Sequence, residues 1–478
     1  MTEKLSSAIK KYVQKDEFIT LIKPLVRDIE CYLVGGYLRD LLTGETSHDR
    51  DLIVKAEEAE KLAKTIADRT DGHFITLDEE NKIYRVVMSD KVNYFDVAAM
   101  LNDDLAQDIN RRDLTVNSVA YDLNKNEIVD LNNGLGDFEK KIIRTANLDN
   151  FSDDPLRMLR VYRFCAKYNF EIDEKITGFI RANKNLIQKP AKERINTELI
   201  KLFEGKYSDS ALKKMDESGL LSEILPVADE IRKIPPNTHH HLNLLGHSIE
   251  TVRQIQRNFE NSSEKVQKLL NSTELGGYPR LAFLKLAGFL HDSGKPETWS
   301  IEEETGRHRF IMHDEVGSKK VVPILQELKF SKKQIAYIQL MIKSHIYPSS
   351  LVWSEVVGSK ARLKFFRKMY PYYADIIVLA ESDRLSAMGE HVTVDMIVKN
   401  LSDLSVLLEE CFGFDEAEAE PKPILNGKEV MEITGLPQSR ELGDFVKSLY
   451  SAQLEGNVKT REDAVKFIEK MMKEKQNQ

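Results

Sequence analysis

The sequence contains no long apolar stretch, because no run approaches the ~20 residues that a membrane-spanning helix requires. Its N-terminus, MTEKLSS, has no apolar signal-peptide core. Only three cysteines are present, Cys31, Cys165 and Cys411, and they form no Cys-x-x-Cys pair. We therefore expect a cytoplasmic protein that contacts no membrane and whose cysteines are reduced, buried side chains.

The sequence also lacks an excess of positive charge, since its formal net charge at pH 7 is −8. This balance argues against a nonspecific coat for nucleic acid, but it leaves room for a local basic track. Basic residues cluster at Lys140, Lys141 and Arg144, at Lys189, Lys192 and Arg194, and at Lys213 and Lys214. Each cluster taken alone has a plainer interpretation as a solvated helix face.

The chain of 478 residues is too long for a single hydrophobic core, and its length predicts two to four domains. Strand-like and helical patterns alternate in the first third, which predicts an α/β head, whereas helical patterns dominate afterwards. The predicted parts are an α/β head at 1–145, a helical neck at 146–235, an all-α histidine-rich domain at 236–412 and a helical tail at 422–478. Pro235 and Pro236 mark one boundary, and the acidic segment 415–423 is typical of a linker.

Two short stretches in the head carry the first chemical signal, LVGGYLRD at 33–40 and DRD at 49–51. Gly35 and Gly36 follow an apolar strand, and glycine lets backbone N–H groups approach a phosphate chain closely. Asp49 and Asp51 enter the next strand, where residues two apart point to the same face. Paired carboxylates are ligands that Mg²⁺ prefers, and metal-assisted nucleotidyl transfer needs both features. Either stretch alone also fits a tight turn or a pair of solvated aspartates.

The stretch RRDLTVN at 111–117 adds two arginines suited to phosphate contact, followed by the amide of Asn117. As an isolated string it also fits the start of a surface helix. Asp96, on a predicted strand just upstream, is either a third carboxylate or a plain strand-end aspartate. The stretch GLGDFEKKIIR at 134–144 predicts a Gly-rich turn and a short helix, which is compatible with a hinge.

The stretch DDPLR at 153–157 predicts a helix start, with Asp154 as N-cap and Pro155 in the first helical position. Arg157 follows on the same face, so the plainest interpretation is an i, i+3 salt bridge with Asp154. The alternative concerns nucleobases, because cytosine and adenine each present an amino donor beside a ring-nitrogen acceptor, whereas uracil and guanine present the reverse order. An aspartate and an arginine could thus accept C and A and reject U and G without a template.

In this order the motifs resemble those of the class II tRNA nucleotidyltransferase and bacterial poly(A) polymerase family, over residues 30–205. The family's second motif is usually RRDFTxNA, and here Leu114 and Ser118 replace Phe and Ala. Its EDxxR motif is present with Asp153 in place of Glu, and residues 192–198 resemble a motif that supports the neck helices. The resemblance implies a polymerase-β-like nucleotidyltransferase head followed by a helical neck.

The resemblance further implies a template-independent enzyme that adds C and A residues to the tRNA 3′ end from CTP and ATP, with Asp49 and Asp51 as catalytic ligands of two Mg²⁺ ions. The implied nucleotide contacts are Gly35, Gly36, Arg39, Asp40, Arg111, Arg112, Asn117, Arg160 and Arg163, with Asp154 and Arg157 as the base-reading pair. The tail would contact the tRNA backbone. Only seven residues separate Asp96 from Asp104, where many CCA-adding members have a longer flexible loop, so a CC-adding enzyme stays open.

The histidines are concentrated after residue 235, where nine of the eleven lie. A lone histidine is more often a core or surface residue, but His247, the His291–Asp292 pair and Asp383 together form a pattern suited to a transition metal or Mg²⁺. This pattern resembles the HD phosphohydrolase domain, which implies those four residues as ligands and leaves His313 and His345 open as ligands of a second metal. The plainer alternative is a domain that keeps these ligands but serves only as a platform for RNA.

The sequence therefore predicts a multidomain nucleotidyltransferase that acts on tRNA, with metal-dependent phosphohydrolase activity as an added expectation. Its rivals within the class are an enzyme that adds only CC or only A, and a poly(A) polymerase, which product length would distinguish. A rival from another class is an HD phosphohydrolase whose head merely binds nucleotide. Another is a noncatalytic RNA-binding protein, which leaves two sets of metal ligands unexplained.

Overall fold

The computed structural model describes residues 2–45, 47–238, 240–353, 359–414, 422–454 and 456–476. The chain divides into two compact units. Unit 1 comprises residues 1–229 and 324–330, and unit 2 comprises residues 230–323 and 331–478. The finer division into head, neck, histidine-rich domain and tail stays a prediction, and residues 415–421 of the predicted linker lie outside the described residues.

Unit 1 begins with a seven-stranded sheet and the helices that cover it. The strands are β1 (Cys31–Val34), β2 (Asp49–Val54), β3 (His73–Asp78), β4 (Ile83–Val87), β5 (Tyr94–Ala99), β6 (Ala120–Asp122) and β7 (Glu127–Val129). The helices are α1 (Thr2–Lys15), α2 (Glu17–Ile22), α3 (Gly36–Thr43), α4 (Ala59–Thr70), α5 (Leu105–Asn110) and α6 (Gly134–Lys140). Short 3₁₀ turns lie at Lys23–Val26, Leu101–Asp103 and Thr115–Asn117.

The strand order β3-β4-β5-β2-β1-β6-β7 puts β2 in the middle of the sheet, and only its pairing with β5 is parallel. In that register Asp51 pairs with Asp96, while on the other side Asp51 pairs with Val34 of β1. Both faces of the sheet are covered, since Leu33 and Leu52 join one apolar cluster and Val34 joins another. The fold therefore delivers the aspartates to the end of β1, where the chain turns through Gly35.

Arg50, between the two aspartates, fixes the orientation of β2. Side chains alternate along a strand, so Arg50 points to the opposite face from Asp49 and Asp51. It is buried, and its guanidinium donates to Asp16 Oδ2 at 2.6 and 3.0 Å and to Asn93 Oδ1 at 2.9 Å. Phe18 packs against the same guanidinium, with its ring centroid 4.7 Å from the Arg50 Cζ. This anchor prevents the one-residue register shift that would turn both carboxylates away from the site.

The rest of unit 1 is mostly helical, with α8 packed against α10 and α11. Its helices are α7 (Asp149–Asp153), α8 (Leu156–Tyr168), α9 (Glu174–Asn183), α10 (Lys192–Glu204), α11 (Ser208–Glu217), α12 (Leu220–Ile224) and α13 (Val227–Ile231), with a 3₁₀ turn at Lys184–Gln188. Two short strands, β8 (Ile142–Ile143) and β9 (Glu171–Ile172), pair in parallel. Most of α8 is buried, and the spacing of Arg157, Arg160 and Arg163 leaves these three on its partly exposed face.

Unit 2 is almost entirely helical. Its helices are α14 (Leu244–Asn261), α15 (Glu264–Leu270), α16 (Arg280–Leu290), α17 (Lys295–Thr298), α18 (His313–Glu327), α19 (Lys332–Ser344), α20 (Tyr347–Trp353), α21 (Ser359–Met369), α22 (Tyr373–Ser386), α23 (Val394–Gly413), α24 (Gly427–Thr434), α25 (Arg440–Leu454) and α26 (Arg461–Gln476). Residues 324–327 at the end of α18 belong to unit 1. A hairpin is formed by β10 (Trp299–Ile301) and β11 (His308–Phe310). Every residue of α16 is buried, as its apolar composition on all sides requires. None of the described helices combines the length and apolarity needed to span a bilayer.

The predicted α/β head followed by helical parts is confirmed, and the apolar strand predicted directly before Gly35 is β1. The prediction that Asp154 is the N-cap of a helix is wrong. Pro155 occupies the N-cap position of α8, without a capping side chain, while Asp154 has extended backbone angles and ends α7. The Asp154 side chain is free of the capping role because it pairs with Arg194 instead.

The core of unit 2 contains a buried ion pair, and replacing one partner tests how much the pair stabilises the fold. Arg280 binds Asp375, and Tyr337 donates to Asp375 Oδ1 at 2.7 Å, with all three residues buried. Arg280→Met removes one partner and leaves the carboxylate buried, so we expect a loss of about 3–5 kcal/mol in unfolding free energy. Differential scanning calorimetry of the full chain checks this. Arg253→Met, which breaks an exposed pair with Glu250, is the matched control and should change stability little. Equal effects in both variants would contradict the assignment.

Candidate active sites

Three carboxylates converge at the end of β2 in unit 1. One oxygen each from Asp49, Asp51 and Asp96 lies within 4.8 Å of the others. Burial, followed by the charge of Asp49, raises the pKa of Asp51 to about 7, and burial also raises the pKa of Asp49. Asp49 Oδ1 is buried and has no hydrogen-bond partner in the described part of the chain. A divalent cation fits this site, because hard oxygen ligands are present and nearby arginines compensate only part of their mutual repulsion.

The third carboxylate is held by an arginine from the neighbouring strand. Arg85 of β4 pairs with Asp96 of β5 in the sheet register, and it donates to both carboxylate oxygens at 2.7 Å. The Tyr94 ring packs on its guanidinium, with the Arg85 Cζ 4.2 Å from the ring centroid. The geometry favours Asp96 as the third carboxylate of the cluster over the alternative of a plain strand-end aspartate. Sequence reasoning missed Arg85, because only the register of β4 against β5 reveals it.

The Gly35–Gly36 turn lies directly against this cluster. Gly35 has φ +79°, and a Cβ there would lie 2.4 Å from Asp51 Oδ2. Gly36 is the first residue of α3, so backbone N–H groups at the helix N-terminus face the region next to the carboxylates. Gly35 thus lets the backbone lie close to the carboxylate cluster. Its approach to a phosphate chain stays a prediction.

Arg39 and Asp40 serve as ties between elements. Arg39 donates to Asp40 Oδ1 at 2.7 Å, to Asn117 Oδ1 at 2.7 Å and to the Tyr168 hydroxyl at 2.9 Å. These bonds join α3 to the 3₁₀ turn at 115–117 and to α8. The roles of Arg39, Asp40 and Asn117 in nucleotide contact stay predictions, since their polar atoms are largely used within the protein.

The arginines at 111 and 112 share one buried carboxylate. Arg111 Nη2 lies 2.8 Å from Asp108 Oδ2, and Arg112 Nη2 lies 3.1 Å from Asp108 Oδ1. About half of the Arg111 side chain remains exposed, at 51%. Each guanidinium therefore keeps N–H groups available for a further anion. Asp108 was not singled out from the sequence, although its i, i+3 and i, i+4 spacing to both arginines could have indicated it.

The residues predicted to read a base are each held by one contact. Arg194 donates to Asp154 Oδ2 at 2.8 Å, and Arg157 Nη1 donates to the backbone carbonyl of Asn150 at 3.1 Å. The Asn150 side chain donates in turn to the carbonyl oxygens of Asn110 and Arg112. Among the described residues, Asp154 and Arg157 do not form the i, i+3 salt bridge that was the plainest interpretation of their spacing. Asp154 Oδ1 and the remaining N–H groups of Arg157 are thus left for another partner.

The other two arginines of α8 are also anchored. Arg160 pairs with the buried Asp113 at 2.8 Å, and Arg163 Nη1 lies 3.2 Å from Glu198 Oε1. Burial raises the pKa of Asp113, but Arg160 and a hydrogen bond from Asn117 outweigh it, so this pKa lies below its usual value. Two ion pairs fit the supporting role predicted for residues 192–198. Arg194 pairs with Asp154, and Glu198 pairs with Arg163. A cavity of about 430 Å³ is lined by Arg39, Arg163, Phe164, Lys167, Tyr168, Lys201, Glu204 and Gly205.

A second set of ligands converges in unit 2 and contains all four predicted residues. His247 Nε2 lies 3.1 Å from Asp383 Oδ1, and His291 Nε2 lies 3.2 Å from Asp292 Oδ2. His313 Nε2 lies 3.2 Å from the other oxygen of Asp292, and His345 Nε2 lies 3.7 Å from it. Asp292 therefore stands between two groups of imidazoles, with one oxygen toward each.

The tautomers of these imidazoles favour metal ligation. Nδ1–H of His291, His313 and His345 donates to the carbonyl of Gly288, Phe310 and Ile342, each at 2.7 Å. The lone pair is then on Nε2. The Nε2 atoms of His247 and His291 are 3.3 Å apart, as are those of His313 and His345. Lone pairs facing each other repel unless a cation or a proton lies between them, so the donor set fits transition metal ions.

A proton on His291 can supply part of the positive charge that a metal ion would bring to this cluster. Burial lowers the pKa of His291, but Asp292 and Asp383 raise it to about 10. Lys295 Nζ also lies 2.5 Å from Asp292 Oδ2. The cavity at this centre has a volume of about 320 Å³ and includes Lys295, Ala380, Arg384 and Ala387 among its lining residues. His240 lies beside His247, and burial lowers its pKa to about 2.

Comparison with known families and proteins gives a consistent result. A model described as the poly A polymerase head domain matches residues 31–144, and a model described as a probable RNA and SrmB-binding site of polymerase A matches residues 169–232. The A-adding tRNA nucleotidyltransferase of Deinococcus radiodurans is 28% identical over 92% of this chain and 95% of its own. The CC-adding tRNA nucleotidyltransferase of Thermus thermophilus is 26% identical over 93% and 94%.

A CCA-adding enzyme of Lactobacillus delbrueckii subsp. bulgaricus is 30% identical, over 56% of this chain and 76% of its own. Among solved structures, the Thermotoga maritima CCA-adding enzyme in complex with tRNA matches with a TM-score of 0.59 and 17% identity over 98% of both chains. A CCA-adding enzyme with CTP matches with a TM-score of 0.60 and 18% identity, also over 98% of both. At these identities the structural matches show a shared fold.

The contact between Gly35 and Asp51 can be tested by adding one methyl group. Gly35→Ala brings a Cβ onto Asp51 Oδ2 and imposes a disfavoured positive φ, so we expect it to displace a metal-binding carboxylate. Mn²⁺ titration followed by electron paramagnetic resonance should show binding at the carboxylate cluster weakened about tenfold or more. Gly36→Ala is the matched control, since its Cβ would meet the Arg39 guanidinium at 3.2 Å and no metal-binding carboxylate. Equal Mn²⁺ affinities in the two variants would contradict the packing described here.

Proposed function

Since the chain belongs to the class II tRNA nucleotidyltransferase and bacterial poly(A) polymerase family, we propose that unit 1 transfers cytidylate, adenylate or both from CTP and ATP to the 3′ end of tRNA. The observation that carries this proposal is the convergence of Asp49, Asp51 and Asp96 beside the Gly35 turn. The names of relatives that match nearly the whole chain, A-adding and CC-adding tRNA nucleotidyltransferase, support the substrate.

Asp49 and Asp51, with Asp96 held by Arg85, are proposed to hold Mg²⁺. When bound, the metal lowers the pKa of the attacking 3′-hydroxyl and stabilises charge on the transferred phosphate. The N-terminus of α3, together with Arg111 and Arg112, would bind and orient the triphosphate. Arg160, on the partly exposed face of α8, would contact it as well. A cytoplasmic location fits this role, and the three buried, unpaired cysteines are compatible with it.

Base choice is proposed to rest on Asp154 and Arg157. Asp154 Oδ1 would accept from the amino group of C or A, and Arg157 would donate to the adjacent ring nitrogen. Uracil and guanine would place like groups against each other, leaving both charges mispaired. The seven residues between Asp96 and Asp104 complete β5 and form one 3₁₀ turn at Leu101–Asp103, and this short segment is compatible with a CC-adding enzyme as the narrower assignment. A poly(A) polymerase would instead extend generic RNA with a long adenylate tail.

Loss of either central carboxylate tests the catalytic assignment. Asp49→Ala and Asp51→Ala should each reduce nucleotide addition at least a hundredfold, while tRNA binding stays near normal, because a ligand of the metal is lost. Primer extension on tRNA measures the rate, and gel retardation measures binding. Asp90→Ala, on an exposed turn of the same unit, is the control. If a variant keeps more than about a tenth of the wild-type rate, its activation barrier is raised by less than ~1.4 kcal/mol, and that residue is not catalytic.

Base selectivity tests the reading pair. Arg157→Ala and Asp154→Ala should raise incorporation of UTP and GTP relative to CTP and ATP about tenfold or more, because one recognition contact is lost. Asp154 does not cap α8, so its replacement should cost no more than the exposed pair with Arg194, under about 1 kcal/mol. Arg194→Ala should shift selectivity in the same direction but less, with Lys192→Ala on the same helix as control. If the incorporation ratios of the folded Arg157→Ala and Asp154→Ala variants equal those of the wild type, the two residues have only a structural role.

A second activity is proposed for unit 2, namely metal-dependent hydrolysis of a phosphate ester. The observation that favours it is the pairwise convergence of imidazole lone pairs about Asp292. His247, His291, Asp292 and Asp383 would hold one metal, and Asp292, His313 and His345 a second. Metals at this centre would supply an activated water and polarise the phosphate. The alternative, a platform for RNA, requires neither metal nor hydrolysis.

Removal of a ligand separates the two activities. His291→Ala should lower transition-metal content, measured by elemental analysis, and abolish hydrolysis of a 2′,3′-cyclic phosphate. Nucleotide addition should be largely unchanged, because the carboxylate cluster lies in unit 1. His308→Ala, which removes an imidazole that is not in the cluster, is the matched control. A wild-type protein that holds no transition metal and hydrolyses nothing would favour the platform, and loss of both activities in His291→Ala would overturn the two-site proposal.

A further inference from the structure

One face of α22 lines the cavity at the histidine and aspartate cluster. Ala380, Asp383 and Arg384 of α22 lie at i, i+3 and i+4, the spacing of a single helix face, and Ala387 follows directly after the helix. All four line the cavity of about 320 Å³. Asp383 belongs to the proposed metal ligands, whereas Arg384 has no part in them. The two alanines have short side chains, so the space in front of Arg384 stays open to a ligand.

Arg384 is the cation of this cavity whose donors lack acceptors. Its Nε and Nη2 atoms are buried, and neither has a hydrogen-bond partner in the described part of the chain. The other cation, Lys295, is engaged with Asp292 at 2.5 Å. Both cavity carboxylates, Asp292 and Asp383, are paired with imidazoles or with Lys295. A desolvated guanidinium with unpaired N–H groups is unfavourable until an anion supplies acceptors.

We infer that Arg384 is an anchoring residue for the phosphoryl oxygens of the ligand that binds at this centre. A planar guanidinium with two free N–H groups on adjacent nitrogens matches the geometry of two phosphoryl oxygens. Metal ions bound by the imidazoles and aspartates would add positive charge within the same cavity. The ligand class is therefore a phosphate ester, held by the metal centre and by Arg384. This inference deepens the proposed hydrolase activity and rests on it for the identity of the reaction.

The test uses inorganic phosphate as the probe and the full chain as the protein. Isothermal titration calorimetry should show that Arg384→Ala weakens phosphate binding about tenfold or more relative to wild type, with metal content unchanged. Arg384→Lys should recover part of the affinity, because a point charge replaces the bidentate fork. Arg253→Ala removes an exposed arginine from α14, the helix that carries His247, and should bind phosphate as wild type does.

A second measurement needs no variant. Phenylglyoxal labelling of the wild-type protein, located by peptide mass spectrometry, should modify Arg384 slowly in the presence of phosphate and faster without it. Phosphate affinity in Arg384→Ala within about twofold of wild type, or labelling of Arg384 that ignores phosphate, would overturn the inference. If the alanine variant fails to fold, the labelling decides. Metal analysis of the wild type is scored separately, so a missing metal centre refutes the hydrolase proposal while phosphate protection still decides the role of Arg384.

Discussion

Electrostatic repulsion among Asp49, Asp51 and Asp96 is the constraint around which unit 1 is organised. Three carboxylates with oxygens within 4.8 Å of one another are tolerated because Arg85 neutralises Asp96 from the adjacent strand, and because Arg50 fixes β2 from the opposite face. Burial raises the pKa of Asp51, and the remaining excess of negative charge at Asp49 raises it further. A divalent cation would relieve the repulsion among the three carboxylates. A folded protein that keeps such repulsion is suited to metal-assisted transfer rather than to maximal stability.

Unit 2 presents a related problem with imidazole ligands gathered about two carboxylates. Backbone carbonyls fix the tautomers of His291, His313 and His345, so that nitrogen lone pairs face each other at 3.3 Å. In both units, backbone geometry sets the ligand orientation before any metal binds, which reduces the ordering cost of binding. The two clusters lie in separate compact units, and this is why each can be altered without the other in the proposed experiments.

Short-range sequence patterns predicted much of this arrangement. Spacing of two on a strand placed Asp49 and Asp51 together, and the motif order indicated a family that the comparisons confirm. Asp108 was missed although its local spacing to Arg111 and Arg112 could have indicated it. The sequence could not reveal Arg85 or the pairing of Arg194 with Asp154, because both depend on a partner brought close by strand register or helix packing. The capping prediction for Asp154 failed for a related reason. A capping pattern describes local competition for backbone N–H groups, whereas Asp154 is held by an arginine forty residues away along the chain.

The central claim is that one site adds only C and A, in a number limited by the tRNA end. Three tRNAs should be compared, ending before the CCA sequence, after its first C and after its second C, each incubated with one nucleoside triphosphate at a time. The account predicts addition of C, of A or of both to at least one of them, no addition of U or G, and arrest once the CCA end is complete. A long adenylate tail on generic RNA, or incorporation of U and G at rates similar to those of C and A, would contradict it.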